Sequence, residues 1–221
     1  MNNIFKADLN LEGDRILESK PAISDKTLRI NLNKNIYGSF SEIGAGQETA
    51  RHFFRAGAAS RTIAKAMSAY DKQFSDAIYT VESDGRYVTE TRLHKMLNHE
   101  VKLLEERLDH TENPNRVYFS YANTVATIDF AKKFKGHGWV GIRFQTEPNG
   151  AFNEIILHIQ FKENDVLLQQ RTLGTLGVNL IYGAFYQNHD PKKLIFHLYD
   201  HLDKDQLEID TINFSGPVFN Q

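Results

Sequence analysis

Apolar positions recur with two periods along the chain, and the two periods separate helices from strands. Leu93, Leu97, Val101, Leu104 and Leu108 form one stripe of a helix predicted over 89 to about 110, with Lys102, Glu105 and Glu106 off the stripe. That stripe could seat on a core or pair with a second helix. A further helix is predicted over 166 to about 186, capped by Asn164 or Asp165, with Gly174, Gly177 and Gly183 allowing another backbone to approach. Asp190-Pro191 places a cap and a first-turn proline ahead of Leu194, Leu198 and Leu202. Alternation of apolar and polar residues predicts half-buried strands over 28–33 and 207–214. Extended runs cover 116–126, 139–146 and 154–161. The turn Glu147-Pro148-Asn149-Gly150 makes the last two an antiparallel hairpin.

Between 36 and 48 an extended segment ends in glycines and leads into a helix through Thr49, Ala50, Phe53, Phe54 and Ala56, broken at Gly57. Ser60 would cap a helix over 61–70, and 76–81 reads as a strand closing at Ser83-Asp84-Gly85. Strands grouped between helices predict an α+β fold, a mainly antiparallel sheet flanked by helices, with a helical subdomain as the alternative. Residues 1–26 lack periodicity and are expected to form an N-terminal arm ahead of one α+β domain over 27–221. The stretch from Phe214 to Phe219 could be a junction to a longer protein.

The 26 basic and 28 acidic residues leave a net charge of -2, so no bulk field favours nucleic acid or an anionic membrane. The chain has no cysteine, which excludes disulfides, thiolate zinc sites and cysteine nucleophiles. No stretch approaches the ~20 apolar residues of a membrane helix, and the first residues lack a secretory pattern. The expectation is a cytoplasmic protein.

Candidate chemistry gathers in two places. Gly44 and Gly46 lie between a strand and a helix start, where free amides and the helix dipole favour an anion. Arg51 and Arg55 follow four residues apart, with His52 beside them, so a phosphate or carboxylate would suit this turn. It is neither a Walker loop nor a Gly-x-Gly-x-x-Gly fingerprint, and the plain alternative is a tight turn before a solvated basic face. Glu42 or His52 would handle protons. The second place is 135–147, where glycines flank His137, and Arg143, Gln145 and Glu147 share one strand face. Its plain alternative is the wet side of an antiparallel sheet. His197 and His201 have the spacing of paired ligands but no third partner, so no metal site is identified. The cofactor is unknown, a nucleotide being the one candidate.

Several stretches carry a family resemblance: 39–48, 51–57, 68–71, 75–79, 136–145 (Gly136-His137-Gly138-Trp139 onward) and 176–186. Together they resemble a bacterial family labelled nicotinate-nucleotide adenylyltransferase or TonB-dependent receptor. The resemblance implies an enzyme of nicotinamide-nucleotide metabolism, nucleotidyltransferase-like. The His-x-Gly-His motif expected of adenylyltransferases is absent, so no catalytic residue carries over. A receptor barrel would need many more strands and an export signal. Two readings follow. In the first, the chain binds a nucleotide or other phosphorylated or carboxylated metabolite. Gly44, Gly46, Arg51, Arg55, Arg143 and Gln145 would make the site, and Glu42, His52 and His137 the catalysis. In the second, the helices over 89–110 and 166–186 form the surface of a noncatalytic homo-oligomeric assembly module.

Overall fold

The computed structural model describes residues 20–108 and 112–220. The chain runs α1 (Ile23–Leu32), β1 (Ile36–Ile43), α2 (Glu48–Ala56), β2 (Ile63–Met67), α3 (Lys72–Tyr79) and α4 (Glu90–Arg107). It continues with β3 (Val117–Ala126), β4 (His137–Phe144), β5 (Asn153–Phe161), α5 (Val166–Tyr186), α6 (Pro191–Leu198) and β6 (Leu207–Ser215). The strands form one open sheet in the order β2-β1-β3-β4-β5-β6. β1 runs parallel to both β2 and β3, and the other neighbours are antiparallel. The fold is α+β, as the grouping of elements predicts.

Strand alternation divides the core between the two faces of the sheet. On one face Phe40, Phe119, Tyr121, Val140, Ile142 and Leu157 pack under α1, α2, α5 and α6. On the other, Ala122 and Ile156 meet Tyr79 of α3 and Leu93, Met96 and Leu97 of α4. The stripe of α4 and most of α5 are therefore buried within one chain. Gly174 and Gly177 let α5 approach α2: a Cβ on Gly177 would lie 2.4 Å from Thr49 Oγ1. Both stripes proposed as an oligomeric surface are buried within one chain, which weakens the assembly reading. Among the described residues no helix is long and apolar enough to cross a membrane.

Three local expectations are corrected. The segment 28–33 belongs to α1, not to a strand. Leu28 and Leu32 of its apparent alternation face outward, while Lys26, Thr27, Ile30 and Asn31 are the buried positions. The segment 61–70 contains β2 rather than a helix, because parallel pairing with β1 overrides the helix preference of its alanines, lysine and methionine. The segment 76–81 is mostly the end of α3, whose N-terminus is capped by Asp71 accepting from Phe74 N–H at 2.7 Å. Of the arm expected over 1–26, residues 1–19 lie outside the described residues, and the chain is already helical at Ile23.

Polar burial on α1 has a specific partner. Lys26, 1% exposed, donates to Asn179 Oδ1 at 2.7 Å and Asp200 Oδ2 at 2.6 Å. Asn179 donates in turn to the carbonyls of Leu198 and Asp200, tying α1, α5 and the end of α6 together. His197 Nδ1 sits 2.8 Å from Asp200 Oδ2, whereas His201 Nε2 lies 2.8 Å from the Pro21 carbonyl, so the two histidines do not converge. Burial alone would raise the Asp200 carboxyl, but its bonds to Lys26 and His197 outweigh this and hold it below the ordinary 3.8. Lys26→Met removes the buried cation from Asp200, leaving it His197 and the exposed Lys20, and should cost about 3 kcal/mol in urea unfolding at neutral pH. The native carboxyl ionises at lower pH than the unfolded one, so this contribution is complete above 3.8 and disappears as pH falls through the native value. The gap between wild type and variant should narrow in that acid range.

Candidate functional site

The glycine turn after β1 is built around a carboxylate of the chain itself. Gly44 has φ +99, and a Cβ there would fall 1.7 Å from the Val125 carbonyl oxygen, so the turn admits only glycine. Glu42, two residues earlier on β1, is 1% exposed and lies beneath the start of α2. Its Oε1 accepts from Ala50 N–H at 2.8 Å, and its Oε2 from Thr49 N–H at 3.2 Å and Asn123 Nδ2 at 3.1 Å. Burial pushes this carboxyl up, while the amide donors pull the other way. Gly46 N–H donates to Tyr70 Oη at 2.8 Å. The amides of Gly46, Thr49 and Ala50 are thus satisfied from within, and Asn123 and Tyr121 belong to the same network.

The two arginines do not close on this turn. Arg51 is exposed and paired with Glu48 Oε1 at 2.8 Å, and Arg55 is exposed one turn on. His52 is half-buried, which lowers its pKa, with Glu48 opposing and Arg55 adding to the shift. Gln145 is buried as a structural tie, accepting from Tyr118 N–H at 2.9 Å and donating to the Gly150 carbonyl at 3.0 Å. Arg143 pairs with Glu154 across β4 and β5, and Glu154 also meets His94 Nδ1 at 3.4 Å. His137 lies on the same sheet face, three alternate positions away, with Nδ1 3.3 Å from His158 Nε2. Burial lowers its pKa, His158 adds to the effect and Asp210 opposes it. The residues named at the sequence level therefore fall into separate environments: the Glu42 network, the exposed face of α2, the Gln145 tie, the Arg143–Glu154 pair and the His137–His158 pair.

A different arrangement emerges under α4. Register aligns Lys65 of β2, Ser39 of β1, Ser120 of β3, Arg143 of β4 and Glu154 of β5 as one polar row across the sheet. Above its β2 end, Glu100 of α4 is fully buried, with Oε2 2.7 Å from Lys65 Nζ. Tyr79 donates its one hydroxyl proton to Glu100 Oε1 at 2.8 Å, so Ser41, 2.6 Å away, donates to Tyr79. Burial, with the Glu100 carboxylate adding to it, raises the Tyr79 pKa and keeps it protonated. Beside this chain, a cavity of about 430 Å³ is lined by Tyr37, Ser39, Lys65, Glu100, Leu104 and Arg107 among others. The hydroxyls of Ser39 and Ser120 are buried with no hydrogen-bond partner, a costly state that a bound polar group would relieve. A larger depression of about 560 Å³ lies against α3, but Asp71, Lys72 and Gln73 there are exposed and it is open to solvent.

Sequence reasoning missed this row because Lys65 was placed on a helix and Ser39 reads as an ordinary strand residue. One signal was available: Glu100 falls on the buried stripe between Leu97 and Leu104, where an unpaired carboxylate would be prohibitive.

No protein-family model matches the chain, and no curated protein does. Solved structures do. The chain is similar to a competence damage-inducible protein A (ComA) from Klebsiella pneumoniae, with TM-score 0.52, 10% identity, and 75% of this chain and 97% of that one covered. It is similar to a competence-damaged protein (CinA) superfamily protein from Enterobacter cloacae, with TM-score 0.51, 10% identity, and 83% and 98% covered. A competence or damage-inducible protein from Enterobacter asburiae gives TM-score 0.51 at 10% identity over 74% and 98%. At such identity the likeness is one of fold. It overturns the expected kinship with proteins labelled nicotinate-nucleotide adenylyltransferase or TonB-dependent receptor, since the solved relatives in fold carry neither description. An open six-stranded sheet is also no receptor barrel.

Glu42→Ala removes the acceptor for two helix amides and Asn123, and should destabilise the protein by about 2 kcal/mol or more in denaturant unfolding. The double variant Arg51→Ala, Arg55→Ala should stay within about 0.5 kcal/mol of wild type for each substitution, as exposed side chains do.

Proposed function

We propose that the chain binds a small metabolite bearing an anionic group, phosphorylated or carboxylated, in the cavity between α4 and strands β1 and β2. The observation that carries this reading is the buried, unpartnered Ser39 hydroxyl in the wall of that cavity, beside Lys65. Lys65 and Arg107 give the lining two positive charges against the one negative charge of Glu100, which leaves an excess suited to an anion. Glu100 holds Lys65 in place, and Ser39 offers a hydroxyl to the same ligand. The volume falls within the range of small-molecule sites and suits a mononucleotide or a smaller sugar or amino acid derivative. This reading keeps the ligand class expected from the sequence and moves it from the Gly44 turn to the helix-covered row.

Titration of inorganic phosphate, AMP, nicotinic acid mononucleotide and ATP, followed by calorimetry, tests the site. At least one should bind saturably. A charge-assisted hydrogen bond is worth about 1.5–3 kcal/mol, so Arg107→Ala should weaken that ligand roughly 10- to 150-fold. Ser39→Ala should weaken it less, and the Arg51→Ala, Arg55→Ala double variant should leave it unchanged. Equal affinity in wild type and Arg107→Ala, or loss in the double variant instead, would place the ligand elsewhere.

A further inference from the structure

Between β3 and β4 the chain leaves the sheet for a loop whose residues 130–135 are all exposed. Phe130 has no side-chain cover, at 106% exposure, and Phe134 is 74% exposed. Single exposed apolar residues are ordinary on a protein surface, but here one turn is built to hold two. Asp129 Oδ1 accepts from Lys133 N–H at 2.7 Å and Phe134 N–H at 3.0 Å, and Lys132 N–H donates to the Asp129 carbonyl at 2.9 Å. Lys132, in the left-handed region at φ +55, makes the reversal. The loop is fastened at both ends: Ile128 N–H donates to Gln169 Oε1 at 2.8 Å, and Phe161 N–H to the Gly136 carbonyl at 2.8 Å. These bonds bring it beside the first turn of α5, where Val166, Leu167 and Leu168 are exposed as well.

The free charges beside this patch are basic. Lys132, Lys133 and Lys135 have no ion-pair partner among the described residues. Of the neighbouring acids, Asp129 and Asp165 are turned onto backbone amides, and Glu163 accepts from Thr172 and Gln206. The net charge of -2 describes the whole chain and is compatible with such a local cluster. We infer that this loop seats on an anionic lipid surface, with Phe130 and Phe134 entering the interface and the three lysines meeting headgroup phosphates. A protruding tip suits a bilayer, which needs no matching contour, whereas a stable protein interface buries about 800 Å² per partner with complementary shape. The aliphatic Leu167 and Leu168 alongside favour acyl chains over stacked nucleobases. Attachment through one such loop is reversible.

Co-sedimentation of the full chain with vesicles at low salt tests this independently of the proposed metabolite site. Wild type should sediment with vesicles of equal parts phosphatidylglycerol and phosphatidylcholine, and far less with phosphatidylcholine alone. The double variant Phe130→Ser, Phe134→Ser should bind at least about tenfold more weakly, since burial of apolar area is what it loses. A lysine near an anionic surface contributes about fivefold, so Lys132→Gln, Lys133→Gln, Lys135→Gln together should lose about a hundredfold. Phe196→Ser, which removes an equally exposed ring from α6, should change nothing. Circular dichroism on each variant separates lost binding from lost fold. Absence of sedimentation with the mixed vesicles, as expected of a loop that serves a protein partner, would overturn the proposal. So would equal binding to both vesicle types, or equal binding by wild type and the folded double phenylalanine variant.

Discussion

The entry to α2 depends on a single carboxylate. A helix that starts against the sheet buries amides that have no partner of their own, and here those amides face a layer closed by α5. Glu42 supplies the missing acceptors from the strand side, Asn123 steadies it from β3, and Asn123 Oδ1 in turn accepts from Ile43 N–H at 3.2 Å. The parallel strands β1 and β3 and the helix above them are thereby stitched at one point. The close approach of α5, which Gly174 and Gly177 permit, seals that point from water. A sequence pattern that resembles an anion-binding turn is in this molecule an anion-containing one.

Much of the architecture was legible because long segments with one period leave little choice. α4, α5, α6 and the strands β3 to β6 follow from leucine stripes, capping aspartates and alternation. The misread segments share a cause: each is short, and its outcome was set by a distant partner. α1 is helical because Lys26 and Asn31 find acceptors on α5, the α6 end and α2, and β2 is a strand because β1 lies beside it. Neither partner can be seen within a window of ten residues.

The same reasoning explains what could be read of function. Glu42, His137 and Arg143 stood out because charged or imidazole groups in apolar or glycine-rich surroundings require a partner, and all three have one. Which partner it was depended on register. Ser39, Ser120, Arg143 and Glu154 are remote in sequence and become neighbours only through strand order, as do His158 and Asp210 through a one-residue bulge. The polar row under α4 is thus a property of the sheet rather than of any segment, and a single-residue slip in β1 would turn its serine to the opposite face.

Among the described residues the strand at the β6 side of the sheet has no further neighbour, and an unaccompanied rim of peptide groups is a template on which identical molecules can stack. Here that template is spoiled. The irregular step at Asp210 breaks the even ladder that a copy would have to match. The distortion that aims one aspartate at a histidine therefore also guards the molecule against growing into fibres.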